Sequence, residues 1–361
     1  MADMQSPPRR ILIIKPSSLG DIVHALPVLA ALRRANPRAH IAWLVGTSFA
    51  PLLDGHPMLD EIIPFDRRRY GRMWYNPAAN IAFWRFVAEI RRRRFDLIVD
   101  LQGLIRSGLL AWFSGARRRV GFAEAREGAW LFYTQCVRSE RSKHAVERNL
   151  DLGRALGLPI DKAEFPLTTT EREADAARRL LYQAADRRIE TYVAVLPGTR
   201  WPSKNWPAEH FAALIDRVHD ARAARCVLLG AAGDRPTADA IREQCRTEPV
   251  DLVGRTDLRQ LVALLAGAAA VVSCDSGPLH VAAALQRPTV AIFGPTDPRR
   301  TGPYAATAKV VTHRVNCAPC LRRRCPLKHH DCLLRLTPDA VFAALDAALR
   351  GDVFRVTAPE N

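Results

Sequence analysis

Reactive polar groups stand in this chain at the ends of apolar runs. In Val271-Val272-Ser273-Cys274-Asp275-Ser276-Gly277-Pro278-Leu279-His280 a β-branched run ends in Asp-Ser-Gly and passes at once into small residues. That order predicts a buried strand delivering a polar turn to a helix start. The unpaired N–H groups and the positive dipole end of such a start suit a phosphate group, and simple helix capping by Asp275 and Ser276 is the plainer alternative. The following run, Thr289-Val290-Ala291-Ile292-Phe293, leads into Gly294-Pro295-Thr296-Asp297. Neighbouring parallel strands that end along one crevice have this pattern.

A second group follows Tyr192-Val193-Ala194-Val195-Leu196, in Pro197-Gly198-Thr199-Arg200-Trp201-Pro202-Ser203-Lys204-Asn205-Trp206-Pro207. Gly198 lets backbone approach a ligand, Thr199 offers a hydrogen-bond donor, and Lys204 brings a point charge suited to phosphate. Leu229-Gly230-Ala231-Ala232-Gly233-Asp234 adds a strand end with a carboxylate placed to hold a ribose hydroxyl. Near the N-terminus, Ile11-Leu12-Ile13-Ile14 runs into Lys15-Pro16-Ser17-Ser18-Leu19-Gly20-Asp21. There Asp21 can take the proton of an attacking hydroxyl; capping the helix that follows is its alternative role. A helix start weakens a carboxylate as a base, which transfer at an acetal carbon tolerates if proton loss lags bond formation.

These groups need elements to hold them. Residues 11–15, 42–45, 62–65 and 97–100 read as strands separated by helical stretches, and the alternation restarts at 192–196, 226–229, 250–253, 270–273 and 289–293. Such repetition predicts an α/β fold with parallel sheets. The length of 361 residues suits two domains. The expected boundaries are an N-terminal domain at 1–175, a linker at 176–190, a C-terminal domain at 191–336, and a closing helix and tail at 337–361. Two such domains leave a cleft where two substrates can meet. One helix is expected through Ile22, Val23, Leu26, Leu29 and Leu32, kinked at Pro27. Arg67, Arg68 and Arg69 follow the third strand and Gln102 the fourth, at the strand ends where open sheets place ligands.

The formal net charge of +16 favours an anionic partner, or reflects an Arg-rich proteome. Neither helix-turn-helix nor aromatic-interleaved basic strand is visible, so nucleic acid is not the expected partner. A complete G-x-G-x-x-G is missing after the first strand of either half, which argues against a nicotinamide-dependent oxidoreductase, and a Walker sequence is missing altogether. No stretch approaches a transmembrane span, and residues 1–10 lack the apolar core of a signal peptide, so a cytoplasmic protein is expected. Cys317-Ala318-Pro319-Cys320 has a zinc-type spacing, with Cys325, Cys332, His313, His329 and His330 nearby. The other spacings fit a metal less well, so free thiols packing an irregular loop are expected, a structural metal is the alternative, and a catalytic metal is not expected.

The stretches Lys15-Pro16-Ser17-Ser18-Leu19-Gly20-Asp21-Ile22-Val23-His24, Asp100-Leu101-Gln102-Gly103, Lys204-Asn205-Trp206-Pro207 and Asp275-Ser276-Gly277-Pro278-Leu279-His280 together resemble glycosyltransferase family 9, over about residues 10 to 350. These are the heptosyltransferases of bacterial lipopolysaccharide core assembly. Ala125-Arg126-Glu127 and His144-Ala145-Val146-Glu147-Arg148 look most like the enzymes that add the first heptose to the Kdo of lipid A, whereas the Cys-rich loop is more like the second-heptose enzymes. The resemblance implies a GT-B fold, two Rossmann-like doubly wound domains facing a central cleft, with the acceptor on the first and the nucleotide sugar on the second. It implies an inverting transfer from ADP-L-glycero-β-D-manno-heptose to Kdo-lipid A, with no required cofactor. The runner-up readings are a second-heptose transferase and a GT-B enzyme using another nucleotide sugar. The implied partners are the ADP-sugar and the anionic lipid A-Kdo acceptor, and the implied location is the cytoplasmic face of the inner membrane, in peripheral contact. Asp21 matches the catalytic base and Lys204 the residue on the donor diphosphate. Asp275, Ser276, Gly277 and His280 match the donor loop, with Thr199 and Arg200 beside them and Asp234 matching the ribose carboxylate. Arg67, Arg68 and Arg69 match the region meeting the anionic acceptor, to which Ser18, Gly20, Gln102 and Arg126 are added.

Overall fold

The computed structural model of the chain describes residues 7–350, so the expected tail beyond the last helix lies outside the described residues. The chain divides into two compact units between Pro166 and Leu167. In the first, β1 (Arg10–Ile14), β2 (His40–Gly46), β3 (Glu61–Phe65), β4 (Leu97–Asp100), β5 (Arg118–Phe122) and β6 (Gln135–Val137) form one parallel sheet in the order β3-β2-β1-β4-β5-β6. In the second, β7 (Tyr192–Leu196), β8 (Arg225–Leu228), β9 (Val250–Asp251), β10 (Ala270–Cys274), β11 (Thr289–Phe293) and β12 (Ala308–Thr312) form another, in the order β12-β11-β10-β7-β8-β9. Counted from its own first strand, each sheet has the doubly wound Rossmann order. Each therefore has one switch point, between β1 and β4 and between β7 and β10, and ligands bind outside the carboxyl ends of strands at such points.

The apolar runs explain the central strands. Ile11, Leu12, Ile13 and Ile14 are fully buried, as a strand covered on both faces requires. Leu12 and Ile14 pack with Ala42, Leu44 and Ile98 against Phe86 and Ile90 of the helix Pro77–Arg92. In the second unit Val195, Leu228, Val272 and Ile292 pack around Phe211 and Trp206, whose indole N–H donates to the Leu336 carbonyl at 2.9 Å. The closing helix, Pro338–Leu349, buries Val341 and Leu345 in that same core.

Two expectations are corrected. The helix expected from Ile22 to Leu32 is two helices, Leu19–Val23 and Leu26–Ala35. Pro27 sits in the first turn of the second, where its missing N–H leaves no bond unmade, so it starts a helix instead of kinking one. The boundary expected at 175 and the linker at 176–190 give way to a helix, Glu171–Ala185, that belongs wholly to the second unit. A capping box of Thr170 and Glu173 starts it, and Glu173 also pairs with Arg259 of the helix Leu258–Gly267 at 2.6 Å.

Candidate active site

The first unit assembles polar groups around its switch point. β1 ends at Ile14, and the buried Lys15 donates its ammonium to the Leu101 carbonyl at 2.8 Å, tying the β1 and β4 ends together. Ser18 then occupies the cap position of the helix Leu19–Val23, with Asp21 three residues on. The Asp21 carboxylate accepts the Ser18 N–H at 2.8 Å and the Ser18 hydroxyl at 2.7 Å. One oxygen, Oδ2, takes both Ser18 bonds in the half-buried turn. Gly20 is buried beneath it.

At the end of β4, Asp100 is fully buried and accepts the N–H groups of Gln102, at 2.8 Å, and Gly103, at 3.2 Å, and the Tyr133 hydroxyl at 2.7 Å. Burial pushes its carboxyl above the ordinary range, although these donors oppose the rise. Gly103 has a φ of +65°, which an L side chain rarely adopts, and it closes the turn that presents Gln102. The Gln102 side-chain oxygen is buried with no hydrogen-bond partner. An orphaned acceptor at a strand end is a place for a ligand hydroxyl. The Arg126 N–H donates to the Gly103 carbonyl at 3.0 Å, so the exposed Arg126 stands beside the Gln102 turn. Arg67, Arg68 and Arg69 form a short exposed helix capped by Asp66, whose carboxylate accepts the Arg68 N–H at 3.0 Å and the Arg69 N–H at 2.9 Å. They follow β3, two strands from β1 on the side away from β4, so the structure does not gather them with Gln102 and Arg126. Among the described residues their guanidinium groups have no hydrogen bond or ion pair, leaving three cations for an anionic ligand. His144 caps the helix Ala145–Ala155 and lies edge-on to His24, with ring centroids 5.4 Å apart.

The second unit presents a helix start beside a buried ion pair. Ser276 caps the helix Gly277–Ala284 in extended backbone, yet its hydroxyl makes no cap bond; it lies 3.3 Å from the Ser273 hydroxyl. The N–H groups of the first turn are therefore left without a side-chain cap. Asp275 does not cap the helix either. Its buried carboxylate accepts the Thr296 hydroxyl at 2.6 Å and pairs with the Lys204 ammonium at 2.6 Å. A bare carboxylate here would repel a phosphate, and Lys204 cancels that charge while staying within 4.7 Å of the Trp201 ring centroid. Thr199 donates to the Trp201 carbonyl at 2.8 Å and shapes the same loop, from which Arg200 points into solvent with no hydrogen-bonded partner among the described residues. His280 is buried on the first turn of the helix.

Asp234 is placed by two glycines. Its carboxylate accepts the Ala231 N–H at 2.8 Å and lies so close over Gly198 that a Cβ there would stand 2.1 Å from its Cγ. Gly230 meets the same carboxylate, with an added Cβ 2.9 Å from its Oδ2. The ends of β7 and β8 thus hold Asp234 at the mouth of the sheet. Cys317, Cys320, Cys325 and Cys332 line one small enclosed cavity with His329 and His330. Burial and the neighbouring thiols push Cys332 up to about 11. Cys317 lies 3.8 Å from His329, and among the described residues no three His, Cys, Asp or Glu side chains form a metal-holding group.

Sequence reasoning missed Thr296, Tyr133 and Lys15. Thr296 had a visible signal, a hydroxyl at the end of the strand beside Asp275, but nothing marked it as that carboxylate's partner. Tyr133 had none, because it reaches Asp100 from an irregular segment beyond β5.

Two doubly wound sheets, each with polar groups at the strand ends beside its switch point, are the architecture of a GT-B glycosyltransferase. The sequence matches the family described as glycosyltransferase family 9 (heptosyltransferase) over residues 83–330, and the chain belongs to that family. It is 32% identical to lipopolysaccharide heptosyltransferase 1 of Pseudomonas aeruginosa over 358 residues, covering 94% of this chain and 98% of that one. Among solved structures, Escherichia coli ADP-heptose lps heptosyltransferase II superposes with a TM-score of 0.77 at 28% identity, covering 95% of this chain and 99% of the other. E. coli heptosyltransferase WaaC with ADP superposes with a TM-score of 0.75 at 29% identity, covering 94% and 99%.

Proposed function

We propose that this glycosyltransferase moves heptose from ADP-L-glycero-β-D-manno-heptose to the Kdo of Kdo-lipid A, with inversion at the anomeric carbon, and so adds the first heptose of the lipopolysaccharide core. The carrying observation is the division of labour between the switch points: Asp21 held by Ser18 at one, Lys204 beside an uncapped helix start at the other. The similarity to lipopolysaccharide heptosyltransferase 1 supports the acceptor. The WaaC structure with ADP supports the donor nucleotide.

The acceptor hydroxyl attacks the anomeric carbon opposite the leaving ADP, and Asp21 takes its proton while Ser18 keeps the carboxylate oriented. Charge developing on the departing diphosphate falls on the first-turn N–H groups of Gly277–Ala284 and on Lys204, with Arg200 free to follow it. Asp275 and Thr296 position Lys204. Asp234 holds the donor ribose, and His280 with Ser276 and Gly277 shapes the donor loop. Gln102 accepts a hydroxyl of the acceptor sugar, and Arg67, Arg68, Arg69 and Arg126 meet its anionic groups. Every step uses the chain's own groups, and none requires a metal or cofactor.

In this reading the protein works as a peripheral protein at the cytoplasmic face of the inner membrane, where a lipid-borne acceptor is presented. No described helix is long and apolar enough to cross a membrane. The test is the anomeric configuration of the product made from the β-linked donor. An α-linked heptose on Kdo is expected; a β-linkage would sink the single-displacement mechanism. A second reading, transfer of the second heptose, draws on the TM-score of 0.77 with heptosyltransferase II. Faster turnover on a core already carrying one heptose than on Kdo-lipid A would favour it.

A further inference from the structure

Surface helices normally turn polar residues outward, and the first unit departs from this on one face. The helices Pro77–Arg92 and Ile105–Phe113 cover the same side of the sheet through Phe86, Ile90, Leu110 and Ala111. Their outward sides carry Ile81, Trp84 and Trp112, and the adjoining segments add Trp74, Trp130 and Leu131. These are far from marginal exposures: Trp74 is 79% exposed, Leu131 65% and Trp112 51%. Four of the rings on this side form a continuous run, with centroids 5.1 Å apart from Trp84 to Phe113, 4.9 Å from Phe113 to Trp112 and 6.2 Å from Trp112 to Phe132. Among the described residues, all exposed aromatic side chains belong to this unit.

Charge is interleaved with the rings. Arg72, Arg85 and Arg106 are exposed, and among the described residues none of their guanidinium groups has a hydrogen bond or ion pair. The nearby carboxylates are already engaged: Asp66 caps its helix, Glu89 pairs with Arg93 at 2.9 Å, and Glu127 accepts the Ile105 N–H at 3.3 Å. A protein partner favours an apolar centre with charges at the rim. Here Ile81 and Arg85, both exposed, stand four residues apart and so on one face of the helix Pro77–Arg92, so a dry interface over that face would bury a cation without a counter-charge. A bilayer surface suits both groups, because indole rings settle at headgroup depth and arginines reach lipid phosphates.

We propose that this aromatic and basic face docks on an anionic bilayer. The tryptophans enter the headgroup region, and Arg72, Arg85 and Arg106 meet lipid phosphates. The helix Ile105–Phe113 starts from the Gln102–Gly103 turn, so the docking face adjoins the acceptor side of the sheet. The inference takes its biological sense from the reading of the acceptor as lipid-borne, but vesicle binding itself needs no acceptor.

The experiment is flotation of the full chain with phosphatidylethanolamine vesicles containing phosphatidylglycerol, compared with phosphatidylcholine vesicles. Wild-type protein should partition onto the anionic vesicles about tenfold more strongly, and salt should weaken it. Trp84→Ser with Trp112→Ser, and separately Arg72→Glu with Arg85→Glu, should each reduce partitioning about tenfold. Because these side chains are exposed, Tm and ADP release with a water-soluble deacylated acceptor should stay at wild-type values. Unchanged flotation of both variants, or failure of the wild type to float, would overturn the proposal. So would wild-type self-association in light scattering that the tryptophan variant abolishes, since a second copy would then own the face. Because flotation uses no acceptor, its result stands whatever the transfer assay gives.

Discussion

Asp21 accepts both the N–H and the hydroxyl of Ser18 on the same carboxylate oxygen. Under the proposed function Asp21 is the base and acts on the acceptor, so its removal should show in turnover and not in donor binding. Asp21→Ala should lower kcat by about 10²- to 10⁴-fold with ADP-heptose affinity unchanged, measured by steady-state kinetics and calorimetry. Lys204 behaves differently, because it also neutralises the buried Asp275. Lys204→Ala should weaken donor binding and lower stability by about 3 kcal/mol, the cost of a buried carboxylate left without its cation; denaturant unfolding reads this, and an unchanged midpoint would contradict it. Gly198→Ala would put a methyl against the Asp234 carboxylate, 2.1 Å from its Cγ. The carboxylate must move, and donor affinity should fall while turnover at saturation is retained. Asp21, Lys204 and Asp275 were legible because each stands where an apolar run meets a helix start. The partner of Asp275 was not, since Thr296 reaches it from the next strand through a side-chain direction that spacing does not encode.

The helix Glu171–Ala185 shows the same limit for an element. Its charged, alanine-rich stretch reads as a linker plus a helix, with nothing to show that the cap and the Glu173–Arg259 pair fasten it to the helix Leu258–Gly267. A long-range ion pair has no local signature. The hydrogen bond from Arg259 holds the Glu173 carboxyl down at about 2, against an ordinary 4.5. A lowered native pKa contributes stability above about 4.5 that is lost as pH falls towards about 2. The pair is partly solvated, so the loss should be only about 1 kcal/mol. Unfolding free energies measured at low and neutral pH should differ by less in Glu173→Gln than in wild type; an identical difference would remove the pair from the account. Nine of the twelve strands of the described residues were legible, because central parallel strands buried on both faces are continuous apolar runs, whereas β5, β6 and β12 lie at or next to sheet edges and mix polar or charged residues into short runs. The helix break before Pro27 was not, because a proline suits a helix start as well as a kink.

Across the whole molecule, the sequence repeats one design: two parallel sheets with the same strand order, each with a single switch point and polar groups at the strand ends beside it. The alternation of strands and helices made that fold readable, and family resemblance carried it to GT-B. The net charge of +16 was readable too, but not its placement beside exposed tryptophans on one unit, which depends on which faces of two helices turn outward. Donor and acceptor chemistry converge on a single claim, that this chain passes heptose from ADP to a Kdo-bearing lipid. The most direct measurement is ADP release from ADP-heptose by purified protein, with and without deacylated Kdo-lipid A. Release that depends on the acceptor, and that Asp21→Ala abolishes, is the predicted result. No release with the Kdo acceptor, while ADP still raises the protein's Tm, would contradict the claim and leave only the nucleotide site standing.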